Sequence, residues 1–232
     1  MIFGGIQKTS LIDFPGKVSC VLFTPGCNFV CPYCHNPELA RNRMDLLSPV
    51  TEDIAIDFLK SRQGLLEGVV ITGGEPTLHK SLGAFCEKVK KLGYPVKLDT
   101  NGSHPDDLNN LLTGALVDYI AMDIKTDPYR YSPDIHPVDQ AKSLISCIDS
   151  ILSSGLPHEF RTTCLHPFVD ASIVARIATL IKGADLYVLQ QFKNGTVLDP
   201  GFIKEKTSRL GDKDLLDFQA IAAPFVARCI VR

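Results

Sequence analysis

The chain has 232 residues, 45% of them apolar, which is enough to bury one substantial core and favours a single domain over two small ones. Its 24 basic and 26 acidic residues give a formal net charge of -2 and are interspersed, so no like-charged block offers a footprint for nucleic acid or an anionic membrane. Met1 begins an apolar start without a basic n-region, and AIAAPFVARCIV is broken by Pro224 and Arg228, so neither a signal peptide nor a membrane span is expected and the predicted location is cytoplasmic.

The first predicted strand is VSCVLF, residues 18–23, and beyond it Cys27, Cys31 and Cys34 fall on a loop that Pro25, Gly26 and Pro32 keep out of helix. A second strand, VVIT (69–72), runs into Gly73, Gly74, Glu75 and Pro76. Leu82, Phe85, Cys86 and Val89 then recur at helical spacing up to Gly93, and PVKLD (95–99) is a third strand that ends at Thr100, Asn101 and Gly102. The fourth strand, DYIAMDI (118–124), closes with Asp123 and Lys125. Ala141, Leu144, Ile145, Ile148, Ile151 and Leu152 make the next apolar helix face, which stops at Gly155 before a fifth strand, HEFRTT (158–163), carrying Arg161. Ile173, Val174, Ile177, Leu180 and Ile181 line a helix that stops at Gly183, and DLYVLQQ (185–191) is the sixth strand, ending at Gln190 and Gln191. Successive βα units with right-handed crossovers predict an α/β fold with a parallel sheet, either doubly wound or curled toward a barrel. The core covers about 18–192, and residues 193–232 are a C-terminal extension of the same domain, 1–232.

In parallel α/β folds chemistry gathers at the carboxyl ends of the strands. Here all six ends carry polar, glycine-rich or metal-binding residues, which points to one large site. Cys20, Cys86, Cys147, Cys164 and Cys229 sit singly among apolar neighbours and read as core, whereas Cys27, Cys31 and Cys34 do not. A structural zinc site needs four ligands, and His35, adjacent to Cys34, projects away from it. CPYCH also matches c-type haem attachment, which would imply export. A cubane iron–sulfur cluster held by three thiolates leaves one iron open to a substrate. His79, His104, His136, His158 and His166 have no partner at ligand spacing and read as surface or loop residues.

The spacing Cys27-xxx-Cys31-xx-Cys34, with Tyr33 before the third cysteine, resembles the signature of the radical S-adenosylmethionine superfamily, and GGEP resembles its methionine-binding motif. The longer stretch SLIDFPGKVSCVLFTPGCNFVCPYCHNPEL is similar to activating enzymes of glycyl radical enzymes, most of all to those of anaerobic ribonucleoside-triphosphate reductases. Pyruvate formate-lyase activating enzymes carry Asp-Gly-Pro-Gly where this chain has Asp13, Phe14, Pro15 and Gly16, a departure that fits the reductase branch better. For the fold, the resemblance implies a partial (β/α)6 barrel. For the site, it implies a [4Fe-4S] cluster on Cys27, Cys31 and Cys34 whose fourth iron is chelated by S-adenosylmethionine. The cofactor would be held by Tyr33, Gly73, Gly74, Glu75, Asp99, Thr100, Asp123, Lys125, Arg161 and Gln190, with Asp99, Thr100 and Asp123 also binding a monovalent cation beside the methionyl carboxylate. The implied partners are a glycyl radical enzyme and a reductant of flavodoxin or ferredoxin type. A radical enzyme acting on a small molecule in cofactor biosynthesis and a non-catalytic metal-binding module are the other classes weighed; the second has no use for GGEP.

Overall fold

Our computed structural model describes all 232 residues. The chain begins with β1 (Ile2–Phe3), β2 (Gly5–Ser10), β3 (Ser19–Thr24), α1 (Pro37–Ala40), β4 (Val50–Thr51), α2 (Glu52–Ser61), β5 (Gly68–Gly73), α3 (Leu82–Lys91), β6 (Val96–Thr100), α4 (Pro105–Thr113) and β7 (Tyr119–Asp123). It continues through α5 (Ala141–Ser153), β8 (His158–His166), α6 (Ala171–Leu180), β9 (Leu186–Gln191), α7 (Pro200–Lys206), β10 (Ser208–Arg209), α8 (Asp212–Ala222) and β11 (Cys229–Val231). The six strands expected from the sequence are β3, β5, β6, β7, β8 and β9. The glycines expected to stop α3, α5 and α6 adopt left-handed backbone, with φ of +89° at Gly93, +70° at Gly155 and +91° at Gly183, where a side chain would be strained.

Two units group the chain's contacts, each made of three interleaved stretches: Met1–Asn28, Asn36–Thr100 and Asp106–Ile120 in the first, Phe29–His35, Asn101–Pro105 and Ala121–Arg232 in the second. In the first unit β3 pairs in parallel with β5, β5 with β6, and β2 lies antiparallel on β3. Phe14, Val21 and Val70 pack with Phe23 and Tyr119 on one face, and α3 buries Leu82, Phe85, Cys86 and Val89 as their spacing predicts. In the second unit β9 lies parallel between β8 and β11, and β10 is antiparallel on β8. Leu144, Cys147, Ile148 and Ile151 of α5 and Ile173, Val174 and Ile177 of α6 are all buried. Each such aliphatic side chain contributes about 1.5–3 kcal/mol by leaving water.

Three features depart from the sequence reading. Strand β2 was not expected, because GIQKTS leaves Gln7, Lys8 and Thr9 exposed and so lacks an apolar face. The C-terminal extension adds α8 and β11, so the strand series does not end at β9. His158 is buried, not superficial: it opens β8, its Nδ1 lies 2.8 Å from the Leu156 carbonyl, and its ring packs edge-on against Phe160. No helix is long and apolar enough to cross a membrane.

Candidate cofactor site

In the first unit, β3 ends at Thr24 and the chain passes Pro25 and Gly26 to the half-buried Cys27. The end of β5 is bonded directly to this turn: Gly74 N donates to the Thr24 carbonyl at 2.8 Å and Glu75 N to the Gly26 carbonyl at 2.8 Å. Both glycines are required for that approach. A Cβ on Gly74 would lie 1.9 Å from the Gly26 oxygen, and one on Gly73, whose φ is +116°, would lie 2.5 Å from Thr24 N. Glu75 is buried, and its Oε1 accepts from Thr77 N at 3.1 Å, Thr77 Oγ1 at 2.6 Å and Thr100 Oγ1 at 2.8 Å. The motif glycines, Glu75 and Thr100 are thus joined to the chain that carries Cys27. Asp99, also from β6, is bonded to the ammonium of Lys97, a fully buried lysine that lies 5.8 Å from the Tyr119 ring centroid.

In the second unit, Cys34 N donates to the Cys31 carbonyl at 3.0 Å, closing a turn around Tyr33. The Tyr33 ring is buried edge-on against Phe168 at 5.1 Å, and its hydroxyl has no hydrogen-bond partner, an orphaned polar atom beside two candidate ligands. Burial pushes its phenol well above the usual range, and charge at Cys31 adds to the shift. Asp123 accepts from Arg161 Nε at 2.7 Å and from Lys125 Nζ at 2.9 Å, and Arg161 Nη1 lies 3.6 Å from the buried Glu159. Burial alone would raise the Asp123 carboxyl, but Arg161 and Lys125 outweigh it and hold it well below the usual carboxylate range. Lys125 is likewise lowered by burial and raised further by Asp123 and then Cys31, so its ammonium stays charged within electrostatic reach of that sulfur.

Register decides between the two glutamines. Arg161 pairs with Val188 and Thr163 with Gln190, so Gln190 shares the face of Arg161. Gln191 points the other way and donates to the Leu210 carbonyl at 2.9 Å.

Sequence reasoning missed the segment that follows β9. Leu198 N donates to the Cys34 carbonyl at 3.0 Å and Asp199 N to the Pro32 carbonyl at 3.0 Å; His35 Nε2 lies 2.7 Å from the Lys193 carbonyl, with its ring stacked on Phe192. Residues 192–199 therefore clasp the second half of the cysteine loop. Tyr131 was missed too: its hydroxyl accepts from Lys125 N at 2.7 Å and its ring packs against Phe29. Neither carried a sequence signal, whereas Lys97 did, as a basic residue two positions from Asp99 inside a predicted strand.

None of the eight cysteines is in a disulfide, but they form two populations. Burial pushes Cys20, Cys86 and Cys164 up to about 12 and Cys229 up to about 11, values that suit inert core residues. Cys27 and Cys34 are half-buried and Cys31 is buried; sulfur is the soft donor that an iron–sulfur cluster takes, so the chemistry of these three residues fits that group. No three His, Cys, Asp or Glu side chains stand close enough together to hold a single metal ion. The model of the radical SAM superfamily matches residues 21–180. The chain belongs to that superfamily. Radical SAM enzymes use a [4Fe-4S] cluster and S-adenosylmethionine, and this radical SAM chain is 32% identical over 238 residues to a Methanocaldococcus jannaschii protein provisionally named a glycyl-radical enzyme activating enzyme, covering 100% of this chain and 95% of the relative. It is 34% identical over 137 residues to a Saccharolobus solfataricus protein provisionally named a GTP 3′,8-cyclase, covering 59% of this chain and 44% of the relative. Streptococcus suis SuiB bound to S-adenosylmethionine has the same α/β fold, with a TM-score of 0.66 at 13% identity over 91% of this chain and 51% of SuiB.

Proposed function

We propose that this radical SAM protein is an activase that installs a glycyl radical on a partner enzyme, an anaerobic ribonucleoside-triphosphate reductase, drawing electrons from a flavodoxin or ferredoxin type donor in the cytoplasm. The observation that carries the reading is the end-to-end match to a relative provisionally named a glycyl-radical enzyme activating enzyme; the match to the cyclase-named relative takes in less than half of that protein. Residues 1–232 act as one domain, with Cys27, Cys31 and Cys34 as cluster ligands. When bound and reduced, the cluster supplies one electron to break the S–C5′ bond of S-adenosylmethionine. The chain's own residues do the rest by orientation. Glu75, held by Thr77 and Thr100, takes the methionyl amino group; Lys125 and Arg161 face the carboxylate or ribose; Gln190 takes the ribose or adenine; Tyr33, between Cys31 and Cys34 in the loop, completes the set with a hydroxyl that has no partner within the chain. Ser10 Oγ bonds the Asp13 carboxylate and accepts from Ile12 N at 3.2 Å, and this turn leaves Leu11 74% and Ile12 83% exposed, an apolar surface that suits a protein partner.

The test is to incubate reconstituted, reduced protein and S-adenosylmethionine with the reductase and freeze the mixture. A doublet electron paramagnetic resonance signal on the partner, lost when its radical-site glycine is changed to alanine, is the expected result. Release of 5′-deoxyadenosine with turnover of a small metabolite and no partner radical would transfer the assignment to a small-molecule enzyme. In the same preparation Cys34→Ala should lose iron and the cluster absorbance, and Cys86→Ala should keep both.

A further inference from the structure

Asp99, Thr100 and Asp123, expected from resemblance to hold a monovalent cation, do not present the donor set that such an ion needs. A hard cation is held by oxygens whose charge it offsets. Lys97 and Asp99 are two residues apart on β6, so their side chains share a face, and the Lys97 ammonium is bonded to the Asp99 carboxylate. Lys97 is 1% exposed, with its charge over the Tyr119 ring, so the ammonium is a permanent part of the interior. Separating it from Asp99 would leave a buried ammonium without its carboxylate, which the interior strongly disfavours. In the second unit Asp123 already has two internal cations, Arg161 and Lys125. Thr100 turns its hydroxyl proton toward Glu75.

We infer that the Lys97 ammonium is the built-in cation of this site, taking at Asp99 the place that a monovalent metal ion takes in pyruvate formate-lyase activating enzymes, so that this chain binds S-adenosylmethionine without Na+ or K+. The inference rests on the cofactor site proposed above. It is tested by equilibrium binding of S-adenosylmethionine to the cluster-loaded protein, without turnover, in buffers whose only monovalent cation is tetramethylammonium, and again with K+ or Na+ added. Wild-type affinity should agree within about twofold across the series. Lys97→Met, which keeps the length of the side chain and removes the charge, should bind about tenfold more weakly in tetramethylammonium and recover when K+ is supplied, because Asp99 then has a place for the ion. A wild-type affinity that falls about tenfold without K+ or Na+ would overturn the inference even if Lys97→Met fails to fold. A folded Lys97→Met protein whose affinity ignores K+ would overturn the role of Lys97. No binding by wild type in any buffer would overturn the cofactor site itself, and this inference with it.

Discussion

At the end of β5 the candidate residues are held by backbone, and at the end of β7 they are held by charge. Gly73 and Gly74 fit against Thr24 and Gly26 with no room for a methyl group, and Glu75 is fixed by one backbone N–H and two hydroxyls. Around Asp123, by contrast, Arg161, Lys125 and the buried Glu159 balance one another, and the Asp123, Lys125 and Arg161 side chains are only partly enclosed. The first region should fail when shape changes and ignore charge; the second should do the reverse. That difference is what the following variants test.

The largest effect on stability should come from shape. Gly74→Ala places a Cβ 1.9 Å from the Gly26 oxygen, and neither partner is a flexible side chain, so the turn before Cys27 must move. Destabilisation of about 3 kcal/mol is expected, with poor cluster loading; a melt and iron content equal to wild type would break the comparison. Asp123→Asn preserves shape but leaves Arg161 and Lys125 facing each other without their carboxylate, and since the Asp123 side chain is 27% exposed the expected loss is about 2 kcal/mol, smaller than for a sealed pair. Because the folded Asp123 carboxyl lies below its unfolded value, the stability it contributes is complete above about pH 4 and falls only in stronger acid. The difference in melting between wild type and Asp123→Asn should therefore be flat from about pH 6 to 8 and narrow as acid protonates the wild-type carboxyl. The smallest pair of effects separates the adjacent glutamines. Gln191→Ala should cost about 1 kcal/mol of stability through its lost bond to Leu210 and leave cofactor affinity unchanged. Gln190→Ala should do the opposite, weakening S-adenosylmethionine binding with an unchanged melt.

Local chemistry was readable without coordinates. The three loop cysteines stood apart from the five core ones because proline and glycine surrounded them; Cys20, Cys86, Cys147, Cys164 and Cys229 are buried as read, and in the loop Cys31 is buried too, whereas Cys27 and Cys34 are half-exposed. The strands and the glycine stops of α3, α5 and α6 were readable too, since apolar period and positive φ are properties of short stretches. His158 was misjudged because a histidine at a strand start looks the same in sequence whether its neighbours in space are water or Phe160 and Asp185.

What the sequence determined by itself, then, was the order of βα units, the cysteine and glycine motifs and the family, each encoded within a few consecutive residues. Tertiary structure alone decided which of Gln190 and Gln191 shares a face with Arg161, that Gly26 receives the amide of Glu75, and that residues 192–199 clasp Pro32 and Cys34. Those outcomes depend on register and on contacts between stretches up to 167 residues apart, from Pro32 to Asp199, and burial fixes them only once the strands have paired. Lys97 lies between the two cases: its spacing from Asp99 was visible in the sequence, but only enclosure of β6 turns that pair from a surface contact into a permanent internal charge.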